Sequence, residues 1–505
     1  VSGHWREDAR AAAPWSLVAV GFALLVALGA LQGMAHVSDE VAYTLQSRLF
    51  AAGMRTGPAT DVPSMLDYPF WVSAPASYSP FPPGWPALLA VGEVAGAPWL
   101  VNALLAGAVP LLVWGIAREW AGTRVAELAA VAAGLSPQLA LLAGSRMAHV
   151  SVVVGLGVAG LVVLRRRDPP WAWLGAGLGV AYVVTARPFD AALLGGPLLV
   201  AGLLRAPGHL ARLALVLPAA AGAAVVFADN IALTGHALQF PMSVWLESWA
   251  PGGPRPGCNA LGFGADVGCM DVFGERGHTP AKALRIGVAS VARLDKLLLG
   301  IPGGLVLGLI GWFKMRRPAP FVVLALVLGG YALYWSPGLA YGARFYAPLL
   351  LLLPIGVAVV LGVLPRWFPH AALVAVALVG GSRLLPTLAD DYWCVGPGAR
   401  RALEDAGVTD GVVLLDARGT RPASWPALGV PGLTCDAMLS AGSLFQDLDP
   451  TSPTGGLQPR YMLADPAQVP LYLRRHQPGV PAVALEHDVA AGTWSVRSLP
   501  APESP

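Results

Sequence analysis

Long apolar runs return repeatedly between residues 14 and 386, far more often than a soluble core could bury. A helix needs about 20 apolar residues to cross a bilayer, since each peptide group must find its partner inside the segment. About eleven stretches approach that length by hydropathy, at 14–35, 97–117, 125–143, 147–164, 171–185, 189–204, 211–233, 297–313, 319–336, 343–363 and 370–386. Composition agrees with this. Charged residues make up 12% of the 505-residue chain and hydrophobic ones 55%, whereas soluble domains carry about a quarter charged. The expected fold is therefore a polytopic α-helical membrane protein. The first stretch shows no evident small-residue cleavage site, so it is expected to remain as a span.

Basic residues fall unevenly between these stretches. Arg6, Arg10, Arg118, Arg124, Arg165, Arg166, Arg167, Arg205, Arg212, Lys314, Arg316, Arg317 and Arg366 all belong to one side if the spans run as given. Short loops rich in Lys and Arg stay cytoplasmic. The other side keeps Arg146, Arg187, Arg344 and Arg383 in its short loops. The amino end is thus expected inside, and the segment after the last span outside. A net charge of +3 is too small to point to nucleic acid. The abundance of Ala, Gly, Pro and Arg suits a GC-rich bacterial genome, which would place the chain in a bacterial cytoplasmic (inner) membrane.

Three large segments then face outward: 36–84, 234–296 and 387–505. They hold all four cysteines, Cys258, Cys269, Cys394 and Cys435, on the side where disulfides persist. Of three pairings, nearness favours Cys258–Cys269 and Cys394–Cys435. Residues 399–407 and 469–479 read as helices, and 411–418 and 480–488 as strands, which suggests a small α/β domain over 387–505 after a membrane domain over 1–386. That domain shows no nucleotide loop, metal-spaced His/Cys set or nucleophile elbow, so an accessory or acceptor-binding role suits it. In the middle loop, Thr279 caps and Pro280 opens a helix. Its stripe of Leu284, Val288, Val291 and Leu294 suits a helix lying on the membrane surface.

The stretch HVSDEVAYTLQSRLFAAG, residues 36–53, places two adjacent acids just past the first span. At about 100° per residue, Val41, Leu45, Leu49 and Ala52 share one side, while Asp39, Tyr43 and Gln46 fall on the opposite side, toward water or a cavity. Glu40 falls between. Ser38 is a favoured cap, and acids in a first turn suit the helix dipole whatever the function. Other outward ends carry polar groups too: SYSPFPPGWP, SRMAHV with Arg146 and His149, TARPFD with Arg187 and Asp190, and YGARFYAP with Tyr341, Arg344 and Tyr346. An arginine at such a place can simply snorkel to lipid head groups. Three of them on one face with a carboxylate suggest a cavity for an anionic head group, with a base nearby.

In their order, these motifs resemble the glycosyltransferase-C superfamily over residues 14–365, and within it bacterial relatives of protein O-mannosyltransferases and aminoarabinose transferases. The resemblance implies transfer of a sugar from a polyprenyl-phosphate donor to a protein, glycolipid or glycan acceptor on the outer face, usually with inversion. It implies Asp39 as the base, with Glu40 assisting or acting in its place. Arg344 and Arg187, with Arg146 third, would hold the donor phosphate, and Tyr43, His149, Tyr341 and Tyr346 would contact substrate. Some relatives carry a second acid after span three; here GSRMAHV has none. A divalent metal is therefore unsupported, with Asp190 and Asp266 the only substitutes. A transporter or flippase for polyprenyl phosphate or its sugar conjugates is the alternative, and an inactive scaffold a third, although no internal repeat of spans is evident.

Overall fold

The computed structural model describes residues 10–59, 62–166, 168–250, 253–389, 391–428, 430–452, 456–462 and 466–499. Arg6 and Arg167 lie outside them. Each expected apolar stretch falls on a helix. Ala13–Ala30, Pro98–Ala121, Pro188–Arg205, His209–Thr234 and the helix Trp367–Ala389 are long and apolar enough to cross a membrane. Three bent pairs bring that number to 8 if each pair is one span, and His149–Arg165, Pro170–Ala186 and Ala319–Ala332 are shorter apolar helices. The chain is thus a multi-pass helical membrane protein. Large apolar side chains such as Leu17, Leu104, Trp171 and Leu217 are exposed on these helices, as a lipid-facing surface requires. Where helices meet, small residues permit close approach: a Cβ on Gly311 would stand 1.9 Å from the Gly356 carbonyl oxygen.

The expectation of a straight span over 297–313 is corrected. Pro280–Leu299 and Gly304–Met315 meet at 86°. Gly300 and Gly303 make the corner at φ +88° and +105°, a region open to residues without a Cβ. Thr279 does cap the first of these helices, its hydroxyl accepting the Lys282 N–H at 3.2 Å. Leu284 and Val288 are exposed, while Leu294 is buried.

In the first-loop helix, Ser38–Ala51, the polar side meets protein rather than open water, the second of the two surroundings expected for it. Glu40, Tyr43, Thr44, Gln46 and Ser47 are buried along with Val41, Leu45 and Leu49, and Asp39 keeps partial exposure. Val41, Leu45 and Leu49 share a core with Val413, Leu415, Phe445 and Leu485. Tyr43 packs instead into the cluster built by the membrane helices. A segment more than 350 residues away in sequence covers one side, so helical periodicity alone could not reveal the burial. Ser38 is not the cap either. The N-cap is Val37, and the Glu40 carboxylate receives its N–H at 3.1 Å and that of His36 at 3.0 Å.

The carboxyl-terminal segment holds six strands, β1 (Gly411–Arg418), β2 (Arg421–Trp425), β3 (Val430–Cys435), β4 (Leu457–Tyr461), β5 (Ala482–Asp488) and β6 (Thr493–Ser498). One sheet has the order β4-β1-β5-β6, parallel except for β6. The helix Val469–His476 lies in the chain between β4 and β5, which flank β1 on opposite sides, and strands running parallel need such a crossover. A two-stranded sheet, β2 and β3, stands apart. Cys258–Cys269 and Cys394–Cys435 are the two disulfides. The second ties the chain just past the last membrane helix to β3, and Tyr392, Trp425 and Val430 join the membrane-domain core there.

Candidate functional site

The two adjacent acids have separate fates. Glu40 is completely buried. Besides the two backbone N–H groups of its own helix start, its carboxylate accepts the Arg146 N–H at 2.5 Å and the Tyr341 hydroxyl at 2.5 Å. One carboxylate thus fastens the first loop to the starts of two later elements. Asp39 keeps 15% of its side chain exposed and meets Arg344, which keeps 10%, through Oδ2 at 3.0 Å. Successive residues on a helix point about 100° apart, which is how neighbours enter such different surroundings.

The three outward arginines also differ. Arg146 gives its guanidinium to the Thr44 hydroxyl at 2.9 Å and the Gly33 carbonyl at 2.6 Å, while its own carbonyl accepts the Trp85 indole N–H. Arg344, besides Asp39, approaches the Met147 sulfur at 3.9 Å, and its Nε is buried without a partner. Arg187 pairs with Asp190 and donates to the Tyr331 hydroxyl at 3.0 Å, which in turn donates to Asp190 at 2.8 Å. Between the two lies Phe345. The Arg187 and Arg344 guanidinium carbons stand 5.5 and 5.2 Å from its ring centroid, and Tyr331 stacks on it at 4.8 Å. An aromatic face attracts cations, so the ring holds two like charges near one another.

Tyr43 belongs to this cluster. Burial and then Asp39 push its phenol upward, while Arg187 and Arg344 pull it down. Its ring packs 4.5 Å from Phe81 of the proline-rich segment, which Gln46 also holds by accepting the Ser79 N–H at 2.9 Å. His149 is buried with neither ring nitrogen bonded, its ring 6.0 Å from Phe345. Tyr341 is fully buried against Glu40 and donates its backbone N–H to the Tyr392 hydroxyl oxygen at 2.8 Å. Tyr346 packs toward Tyr331 at 6.2 Å.

Below the charged cluster opens an apolar cavity of about 350 Å³. Leu194, Leu326 and Pro348 line it near Asp190, Tyr331 and Arg344 in the chain, and Trp120, Arg205 and Pro318 line it at the helix ends away from the cluster. Among the described residues, no three His, Cys, Asp or Glu side chains gather as metal ligands. Asp190 is held by Arg187 and Tyr331, and Asp266 by Arg276 on an exposed loop, so neither stands ready as the substitute acid considered from the sequence. Phe345 and Tyr331 escaped sequence reasoning; the only signal was the Arg-Phe pair inside YGARFYAP.

No family model matches this chain, and no curated protein does. Solved structures show some likeness. ArnT from Cupriavidus metallidurans, bound to undecaprenyl phosphate, is 16% identical with a TM-score of 0.46, over 86% of this chain and 76% of that one. The archaeal oligosaccharyltransferase AglB from Archaeoglobus fulgidus, in complex with an inhibitory peptide and a dolichol-phosphate, is 14% identical with a TM-score of 0.36, over 75% and 55%. Likeness at this level assigns no activity.

Proposed function

We propose that this chain is a membrane glycosyltransferase of the glycosyltransferase-C type. It takes a sugar from a polyprenyl-phosphate donor and passes it, with inversion, to an acceptor on the outer face. The observation that carries this reading is the gathering of Asp39, the buried Arg344 and the half-buried Arg187, with an apolar cavity lined by Leu194 and Pro348, four residues further along the segments that carry Asp190 and Arg344. A single phosphate on a long apolar tail has both of the features that such a place accommodates.

The roles follow from which groups gather around Phe345. Arg344, with its unfilled Nε, and Arg187, which is paired with Asp190 and Tyr331 but overlies the same ring, hold the donor phosphate. Asp39 takes the proton from the acceptor's nucleophilic atom as that atom attacks the anomeric carbon opposite the phosphate. The bond from that carbon to the phosphate oxygen breaks, and its electron pair leaves with the phosphate. The two guanidinium groups stabilise the charge developing there. Glu40 and Arg146 build the frame, since their polar atoms are already engaged. The acceptor is a protein, glycolipid or glycan, and the amino end lies inside.

The test is purified protein in lipid, given radiolabelled polyprenyl-phosphate sugars and candidate acceptors. Label should pass to an acceptor with wild type and stop with Asp39→Asn. Undiminished transfer by that variant removes Asp39 as the base. Movement of intact donor across vesicles, with none consumed, puts a flippase in place of the transferase.

A further inference from the structure

Among the described buried histidines, His149 is the one with both ring nitrogens buried and unbonded. His36 has both on backbone carbonyls, at 2.7 and 3.1 Å, His278 has one at 3.0 Å, and His487 has its Nδ1 buried without a partner while its ring stacks on Trp494. His149 is 2% exposed, yet neither of its nitrogens has a partner. Burying an imidazole in this way is costly, and native structures rarely keep such groups without a reason. The loss is not forced by helix packing, because His149 opens its helix, where a side chain can still reach beyond the bundle.

Its surroundings are specific. Its ring stands 6.0 Å from that of Phe345, and Arg187 and Arg344 are the charges that act on it. Phe345 is also the ring that both guanidinium groups overlie. Two cations, an unfilled guanidinium Nε and an unfilled imidazole therefore gather around one aromatic side chain. The group that would complete all of them is a tetrahedral oxyanion, which can accept several such donors at once.

We propose that His149 is a third ligand of the donor phosphate, giving one N–H to a phosphate oxygen while Arg344 and Arg187 supply the charge. This rests on the donor reading above. Both ring nitrogens are closed to solvent. The phosphate reaches them when Arg344 exchanges Asp39 for phosphate, since Phe345 is the next residue in the chain and moves with it. Donor binding then frees the Asp39 carboxylate in the same step that fills His149.

The experiment measures binding of a short-chain polyprenyl monophosphate to the full chain in detergent, for wild type, His149→Phe and His149→Gln. Phenylalanine keeps a ring against Phe345 and removes both nitrogens; glutamine keeps an N–H donor. The affinity should fall roughly ten- to a hundredfold in His149→Phe and recover to within about threefold of wild type in His149→Gln. Meanwhile the empty His149→Phe protein should melt no lower than wild type, because a buried polar group has gone. A purely structural histidine gives the reverse: a lower melting temperature with affinity unchanged, which overturns the inference and leaves the donor reading intact. Failure of wild type to bind the lipid phosphate at all overturns both.

Discussion

Two polar clusters lie side by side at one end of the bundle, built around adjacent residues of one helix. Around Glu40, each described polar contact is closed: the carboxylate has its backbone and hydroxyl donors, and Arg146 has its carbonyl and hydroxyl acceptors. Around Asp39 the contacts are incomplete. The acid is partly exposed, Arg344 keeps an unfilled Nε, and His149 keeps two unfilled nitrogens. Buried polar groups without partners are expensive, and under the proposed function the donor phosphate is what completes the unfilled cluster. Carboxylates and arginines are common to both clusters, and their chemistry cannot tell the two apart. Saturation can.

The comparison breaks most sharply on the acids. Asp39→Asn should reduce transfer by roughly a hundred- to ten-thousandfold, the range for removing a general base, with the thermal midpoint nearly unchanged. If that variant instead melts far below wild type, the two clusters do not differ in kind. Glu40→Ala should do the opposite. It leaves the Tyr341 hydroxyl and three backbone N–H groups unpaired, a loss of about 3–5 kcal/mol of stability, visible as early thermal unfolding before any assay is run.

A smaller effect tests the support behind Glu40. Tyr392, whose hydroxyl holds the Tyr341 backbone, lies two residues from Cys394. Replacing Cys394 and Cys435 by serine should cost about 2–4 kcal/mol. Transfer by the surviving folded fraction should stay near wild type, as measured by activity per folded molecule. The smallest effect falls on the open cluster. Arg344→Lys keeps the charge but loses the planar fork, so the KM for donor should rise roughly tenfold while stability holds. Unchanged KM would move the phosphate away from Arg344.

Some of this was legible from residue order. The apolar runs place the helices, because hydropathy reports directly on what lipid will accept. The cysteines pair as nearness suggested, and Thr279 caps as a Thr-Pro start should. The corner at 300–303 was not legible. Its glycines looked like ordinary small residues inside an apolar run, and only their positive φ values show that the chain turns there. The strands β2, β3, β4 and β6 were missed as well; they are five or six residues each, and even in β6, where Trp494 and Val496 alternate with polar neighbours, the run is too short to stand out.

At the site, the sequence by itself placed a carboxylate pair, three arginines and a histidine on one side of a membrane, and gave the chemistry open to them. It could not say which were spent. That depends on contacts made across the chain, such as Tyr341 reaching Glu40 and the 411–415 strand covering the first-loop helix. Helical periodicity says which way a side chain points and nothing about what arrives to meet it. Only the tertiary structure decided that Glu40 and Arg146 are closed off while Asp39, Arg344 and His149 keep capacity for a ligand, because hydrogen-bond saturation is a property of neighbours rather than of residue types.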